Sequence, residues 1–481
     1  MNQLRFVLTC AALASFVCAG CGSYGEGDAP SPAAALTVPS GRYAARTDLL
    51  ALTAPKKAQP RWYSAQFPPL RSVRLFPNTP DRDLATDLRA EGREVVLDPT
   101  VFEQEVWMPA QADRLTRLLD AHFGTPAAPA VRVPSWDQLV AAGITRFDQS
   151  VSLGANLKEI RGKLGKAKLK DWQADWTAAT AAKAELKLDD AALARGALVY
   201  RRWCMQCHGP SGAGDAAYAI EAGPMPRDYR QGVFKFTTAF APPSAPKKAG
   251  LGASGKARRG DLKRTVRNGL DGSIMPAFPA LTDAELEDVV SYVIHLSVRG
   301  ETEFATLVKA IKPGGDDPIA EGGELDWLFL QHELAVLINW GVAAKNTIPV
   351  PLEKSMTEPE RIQSAIRGFK LYNSAEFGCA SCHANYGRAQ QLKWDAWDTV
   401  VQPRNLTLGV YRGGRKGEDL YARIYGGIAP SGMTAFHDRV ATAPPGQPDK
   451  IWDIVHFLQA LADSSDRRRM QELDRDVKFD P

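Results

Sequence analysis

The chain has 481 residues, 44% of them hydrophobic and 24% charged, an ordinary globular balance with room for roughly three domains. Fibrous and low-complexity classes are excluded. A net charge of +4 gives no general case for binding nucleic acid or an anionic membrane surface.

Residues 1–20 read as a targeting segment: Arg5 supplies a positive start, Phe6 to Val17 is a short apolar run, and Ala19-Gly20-Cys21 places small residues before a cysteine. The segment resembles a bacterial lipoprotein signal, which implies cleavage before Cys21 and a lipid on that thiol. It departs from that pattern at Cys18, where such signals usually carry Leu, and a plain secretory signal cut nearby is the alternative. No later stretch has the ~18 uninterrupted apolar residues needed to cross a bilayer. Leu325 to Trp340 comes nearest, but it contains Asp326, His332 and Glu333.

Residues 21–60, rich in Ala, Pro and Ser, read as a tether. Residues 61–185 form an N-terminal region, α/β or irregular, with β-like runs at Val73 to Phe76 and Val95 to Leu97 and a helical pattern from Gln111 to His122. A basic stretch from Lys158 to Lys170 reads as a solvated helix or linker.

The chain then presents Cys204-Met205-Gln206-Cys207-His208, and far downstream Cys379-Ala380-Ser381-Cys382-His383. A C-x-x-C-H run is the pattern of c-type haem attachment, in which both thiols become thioethers and the adjacent imidazole is held on the iron. Half a zinc site would also supply C-x-x-C, but its second pair would lie nearby. Of the seven cysteines, Cys10 and Cys18 fall in the leader, Cys21 is the candidate anchor, and the other four belong to these two runs. No thiol remains for a disulfide or a nucleophile.

Around the first motif, Asp189 is a plausible N-cap for a helix carrying Leu193, Gly196, Ala197 and Tyr200. Later come Met275-Pro276-Ala277-Phe278, a capping box at Thr282 to Glu285, and an amphipathic run through Leu286, Val289, Val290, Val293 and Ile294. The second motif repeats this plan. Gly368 and Tyr372 match Gly196 and Tyr200, and Pro403-Arg404-Asn405 matches Pro226-Arg227-Asp228. Met433 follows Asp419 at the spacing by which Met275 follows Asp261, and Asp453 to Phe457 matches Asp288 to Tyr292.

Both halves resemble class I cytochrome c. The resemblance implies a mainly α fold with two tandem class I cytochrome c domains, at 186–300 and 355–465, joined by a helical linker at 301–354 and followed by a charged tail at 466–481. It further implies two covalently attached haem c groups on Cys204 and Cys207 and on Cys379 and Cys382. The iron ligands would be His208 with Met275, and His383 with Met433. Met225, whose counterpart is Gln402, is a weaker rival for the first iron. Arg227 and Arg404 read equally as propionate partners and as surface arginines. His295, His437 and His456 read as packed or exposed side chains. Between Thr237 and Gly260, a loop ending in Lys256, Arg258 and Arg259 reads by default as solvated, and alternatively as a basic rim for an acidic partner.

The function expected from this is single-electron transfer between membrane respiratory complexes, such as a quinol-oxidising complex, and periplasmic or terminal-oxidase partners. The site would be the bacterial periplasm, on a lipid-held chain, with no nucleic acid involved. The competing expectations are a cytochrome subunit of a larger dehydrogenase or respiratory complex, with 60–185 and 301–354 as docking surface, and a dihaem peroxidase-type enzyme.

Overall fold

The computed structural model describes residues 109–133, 166–214, 216, 218, 226–240, 256–310, 323–388, 393–394, 400–401, 403–428, 431–439 and 448–479. Cys21, Met225, the tether and both β-like runs lie outside them. The described residues are mainly helical. Their strands are two-residue ladders only, Gly124–Thr125 with Ala128–Pro129 and Lys393–Trp394 with Val400–Val401.

In chain order the helices are α1 (Pro109–Phe123), α2 (Lys166–Glu185), α3 (Asp190–Trp203), α4 (Arg259–Asn268), α5 (Asp283–Ala310) and α6 (Gly323–Lys345), followed by α7 (Glu358–Asn373), α8 (Gly417–Gly426), α9 (Lys450–Ala462) and α10 (Ser464–Leu473). Their starts follow local chemistry. The Asp189 carboxylate accepts from Ala192 N at 2.9 Å, and reciprocal capping boxes join Thr282 with Glu285 and Thr357 with Glu360.

The two halves share one packing device. In the first, α3 crosses α5 where a Cβ on Gly196 would lie 2.0 Å from the Asp288 carbonyl oxygen; in the second, α7 crosses α9 where a Cβ on Gly368 would lie 2.0 Å from that of Asp453. Only a glycine lets the backbones come this close. Arg195 clamps the first crossing through Asp288 at 2.6 and 3.0 Å, and Arg367 clamps the second through Asp453 at 3.0 and 2.7 Å. An aromatic pair fills the space beside each, Tyr200 with Tyr292 at 5.2 Å and Tyr372 with Phe457 at 5.1 Å.

Beyond this shared frame the halves differ. Helix α5 runs to Ala310, so the position at 300 read from sequence as a domain edge falls inside it. Helices α1, α2 and α6 bury their apolar residues in the first core: Leu115, Leu119 and Phe123 from α1, Ala179 from α2, and Leu325, Phe329, Leu337 and Trp340 from α6. At the centre Glu301 accepts from Trp340 Nε1 at 2.6 Å and pairs with Lys256 Nζ at 2.6 Å, while Lys256 also donates to the Gly232 carbonyl at 3.0 Å. This ion pair is dry but fully hydrogen-bonded, the condition under which a buried charge is tolerated.

The basic-rim reading fails here for a physical reason. Lys256 is 1% exposed and paired with Glu301. Arg258 Nε donates to the Ala344 carbonyl, and Arg259 is spent on the Leu186 and Glu287 carbonyls and the Glu287 carboxylate. These cations tie the core together instead of facing a partner. Of the three histidines read as packed or exposed, His295 is fully buried with Nε2 at 2.9 Å from the Phe123 carbonyl, His456 lies between Ser364 at 2.7 Å and Glu353 at 3.1 Å, and His437 is partly buried.

Two outcomes follow from this packing. Gly368→Ala forces α7 off α9 and should cost on the order of 3 kcal/mol or more, because backbone and not a flexible tip opposes the new methyl; urea denaturation reads it, and a loss under roughly 0.5 kcal/mol contradicts the close crossing. His295 supplies the pH test. Burial pushes its imidazole down to about 4 against the partial opposition of the Phe123 carbonyl, so the folded chain holds it neutral. A depressed histidine contributes stability that is full above about 6.5 and is lost as pH falls toward 4. The urea midpoint should therefore drop across that window, and drop less steeply in His295→Gln.

Candidate functional site

Each C-x-x-C-H run is wound into one tight turn. His208 N donates to the Cys204 carbonyl at 2.9 Å and His383 N to that of Cys379 at 2.8 Å, which puts both cysteines and the imidazole of each run on one turn of chain. A tyrosine from the opening helix ties each turn down: Tyr200 Oη donates to the Gly209 carbonyl at 2.8 Å, and Tyr372 Oη to that of His383 at 2.5 Å.

The imidazoles are oriented the same way. His208 Nδ1 faces the Arg227 carbonyl at 3.4 Å, and His383 Nδ1 faces the Arg404 carbonyl at 3.3 Å. A carbonyl only accepts, so Nδ1 carries the proton and Nε2 is left with its lone pair. Such a hydrogen bond fixes the tautomer and ring angle of a metal-bound histidine. Both carbonyls stand in matching loops. Asp228 caps the turn Tyr229–Gln231 and Asn405 caps Leu406–Leu408, each ending in a left-handed glycine, Gly232 at φ 60° and Gly409 at φ 61°.

The methionine loops also match. Helices α4 and α8 end at Gly269 and Gly427, with φ 68° and 67°, and the chain then turns back so that Leu270 N donates to the Met275 carbonyl at 3.1 Å and Ile428 N to that of Met433 at 3.0 Å. Both methionines are partly buried. The match between the halves predicted from sequence is thus present in backbone geometry, loop by loop.

The sites differ in their surroundings. His208 is buried and stacks on Tyr229 at 4.5 Å, whereas His383 is half-buried and Leu406 takes the tyrosine's place. After the first histidine, glycines supply the left-handed positions, Gly209 at φ 73° and Gly212 at φ 77°. After the second, Asn385 and Tyr386 adopt φ 52°, a conformation a tyrosine takes only under constraint.

The donor set suits a haem better than a bare ion. Among the described residues no group of three or more His, Cys, Asp and Glu side chains converges as a zinc site requires. Burial pushes the Cys204 thiol up to about 12 and the Cys379 thiol up to about 11, so neither is a thiolate at neutral pH. Burial likewise drives His208 down to about 4, leaving a neutral imidazole to ligate. Each run thus brings two thiols and one imidazole onto a single turn, an arrangement whose chemistry fits covalent haem attachment.

Contacts that the sequence did not indicate join the halves. Arg264 pairs with Asp419 at 2.9 Å, Arg423 donates to the Thr237 carbonyl, and Phe240 packs against Tyr425 at 5.4 Å and His437 at 5.1 Å. Arg412 also belongs here. It follows Arg404 by the spacing that separates Lys235 from Arg227, and that recurrence was the available signal.

The profile of the family described as cytochrome C oxidase, cbb3-type, subunit III matches residues 191–293, which span the first C-x-x-C-H run and Met275. No curated protein sequence matches the chain. A Kuenenia stuttgartiensis reducing HAO-like protein complex is similar among solved structures, at 22% identity over 56% of this chain and 96% of that one, with a TM-score of 0.39, a likeness too slight to bear on the fold. The match supports a cytochrome c domain at residues 191–293, which implies covalently bound haem c and a part in electron transfer.

Proposed function

We propose that the chain is a dihaem cytochrome c that carries single electrons, with Cys204, Cys207, His208 and Met275 at one centre and Cys379, Cys382, His383 and Met433 at the other. The observation that carries this reading is the repeated hydrogen bond from a histidine Nδ1 to the carbonyl of the arginine in Pro-Arg-Asp/Asn. A shared frame preserved around both motifs argues that both hold the same group.

Haem c supplies reversible one-electron exchange when it is bound. The chain's own residues hold it by two thiols, fix one axial imidazole through Nδ1, and offer a thioether on a loop pinned at Gly269 or Gly427. With a histidine and a methionine both available to each iron, the bound group would keep no coordination site for peroxide, oxygen or substrate, which favours a carrier over a peroxidase-type enzyme. The subunit reading draws less support, because helices α1, α2 and α6 bury their apolar residues inside the chain itself.

The partners in this reading are a quinol-oxidising complex on one side and a terminal oxidase or periplasmic carrier on the other. A lipid on Cys21, with the tether behind it, would hold the chain at a membrane in the bacterial periplasm. None of the helices among the described residues is long and apolar enough to span a membrane, so an anchor of this kind would come from the leader. Mass spectrometry of the N-terminal peptide decides this point: a diacylated Cys21 supports it and an unmodified one ends it.

Replacing Met275 or Met433 by Leu should each turn one of two centres high-spin in the visible spectrum while the other stays low-spin; a variant that leaves both unchanged removes that methionine from the ligand set. The oxidised wild type, mixed with excess hydrogen peroxide, should keep its spectrum and show no turnover. Rapid consumption would instead establish an opened iron and an enzyme.

A further inference from the structure

The two ligand frames meet at one place in the seam between the halves, and the residues that meet there carry an unbalanced charge. Gly272, three residues before Met275, sits at φ +67° with the Arg404 guanidinium so close that a Cβ would lie 2.2 Å from Nη2. Arg412 donates from Nη2 to the Gly272 carbonyl at 3.3 Å. Ser273, next in the same loop, accepts from Met275 N at 3.2 Å. On the other side, Arg404 is the residue whose carbonyl holds His383 Nδ1, and its own Nε donates to the Val410 carbonyl at 2.8 Å. Two guanidinium groups therefore lie between the methionine loop of one centre and the histidine anchor of the other.

Neither guanidinium shows an ion pair among the described residues. The nearby Asp271 carboxylate is taken by Arg415 at 2.7 Å, and the buried Nε of Arg412 has no hydrogen-bond partner. Burial, with the like charge of Arg404 behind it, depresses Arg412 to about 10, and burial lowers Arg404 against the partial opposition of the Asp271 carboxylate. Holding two such partly buried groups together is costly unless a nearby group gains from their charge.

We propose that Arg404 and Arg412 form a cation pair shared by the two haem sites, positioning residues that set the reduction potentials of both centres together. The inference rests on the two-centre reading above. A cation in a partly dehydrated seam is weakly screened and is felt on both sides of it. The pair therefore disfavours the extra positive charge of the oxidised form at either centre and raises both potentials.

The test is a spectroelectrochemical titration of the full-length holoprotein, with haem content and thermal melting measured alongside. In Arg412→Gln and in Arg404→Gln both components should shift to lower potential, so that at a fixed applied potential the oxidised-to-reduced ratio rises several-fold at each. Arg412→Lys, which keeps the charge, should restore both. A shift in one component alone, or in none, with folding and haem content intact, overturns the shared pair and leaves a merely structural contact. A wild type that already titrates as one haem per chain removes the two-centre reading itself and this proposal with it.

Discussion

A hydrogen bond from an imidazole Nδ1 to a backbone carbonyl, made once in each half, is the constraint on which the rest of the site depends. It decides which ring nitrogen keeps its lone pair and the direction in which that lone pair points. The bond needs the Pro-Arg loop at a fixed height below the cysteine turn. That height is set from two sides: a tyrosine on the opening helix anchors the turn, and a capped turn ending in Gly232 or Gly409 shapes the loop. The opening helix is in turn located by a glycine that lets it cross the closing helix backbone to backbone. Sequence, packing and ligand orientation thus form one chain of dependence, built twice.

Helices from well outside the first cytochrome frame complete its core. Trp340 on α6, Glu301 on the extension of α5 and Lys256 just before α4 meet in a buried cluster that also grips the loop at Gly232. The loop whose carbonyl orients His208 is therefore braced from behind by residues at long sequence distance. Among the described residues the second half shows no counterpart to these helices and packs α10 and the tail residues Val477 and Phe479 into its own core.

Much of the frame was legible because its signals are local. Asp189, Thr282 and Thr357 cap helices by short-range rules, the two C-x-x-C-H runs mark their own turns, and Gly196 and Gly368 repeat in register with their tyrosines. What was not legible depends on partners distant in the chain. Lys256, Arg258 and Arg259 look from sequence like a solvated basic cluster, and only the fold reveals Glu301, Ala344 and Glu287 waiting for them. Helix α6 has apolar residues on every side, so periodicity could not say what it packs against. The contact of Arg404 with Gly272 joins residues from opposite halves, which no local pattern encodes.

The central claim is that both halves hold the same group in the same way. The most direct measurement is the haem count per chain of the purified protein by the pyridine haemochrome assay, set against protein concentration from amino-acid analysis. The account predicts two haems, falling to one when either His208 with its two cysteines or His383 with its two cysteines is replaced by alanine. A wild type with one haem, lost entirely when one motif is replaced and unaffected when the other is, would contradict it.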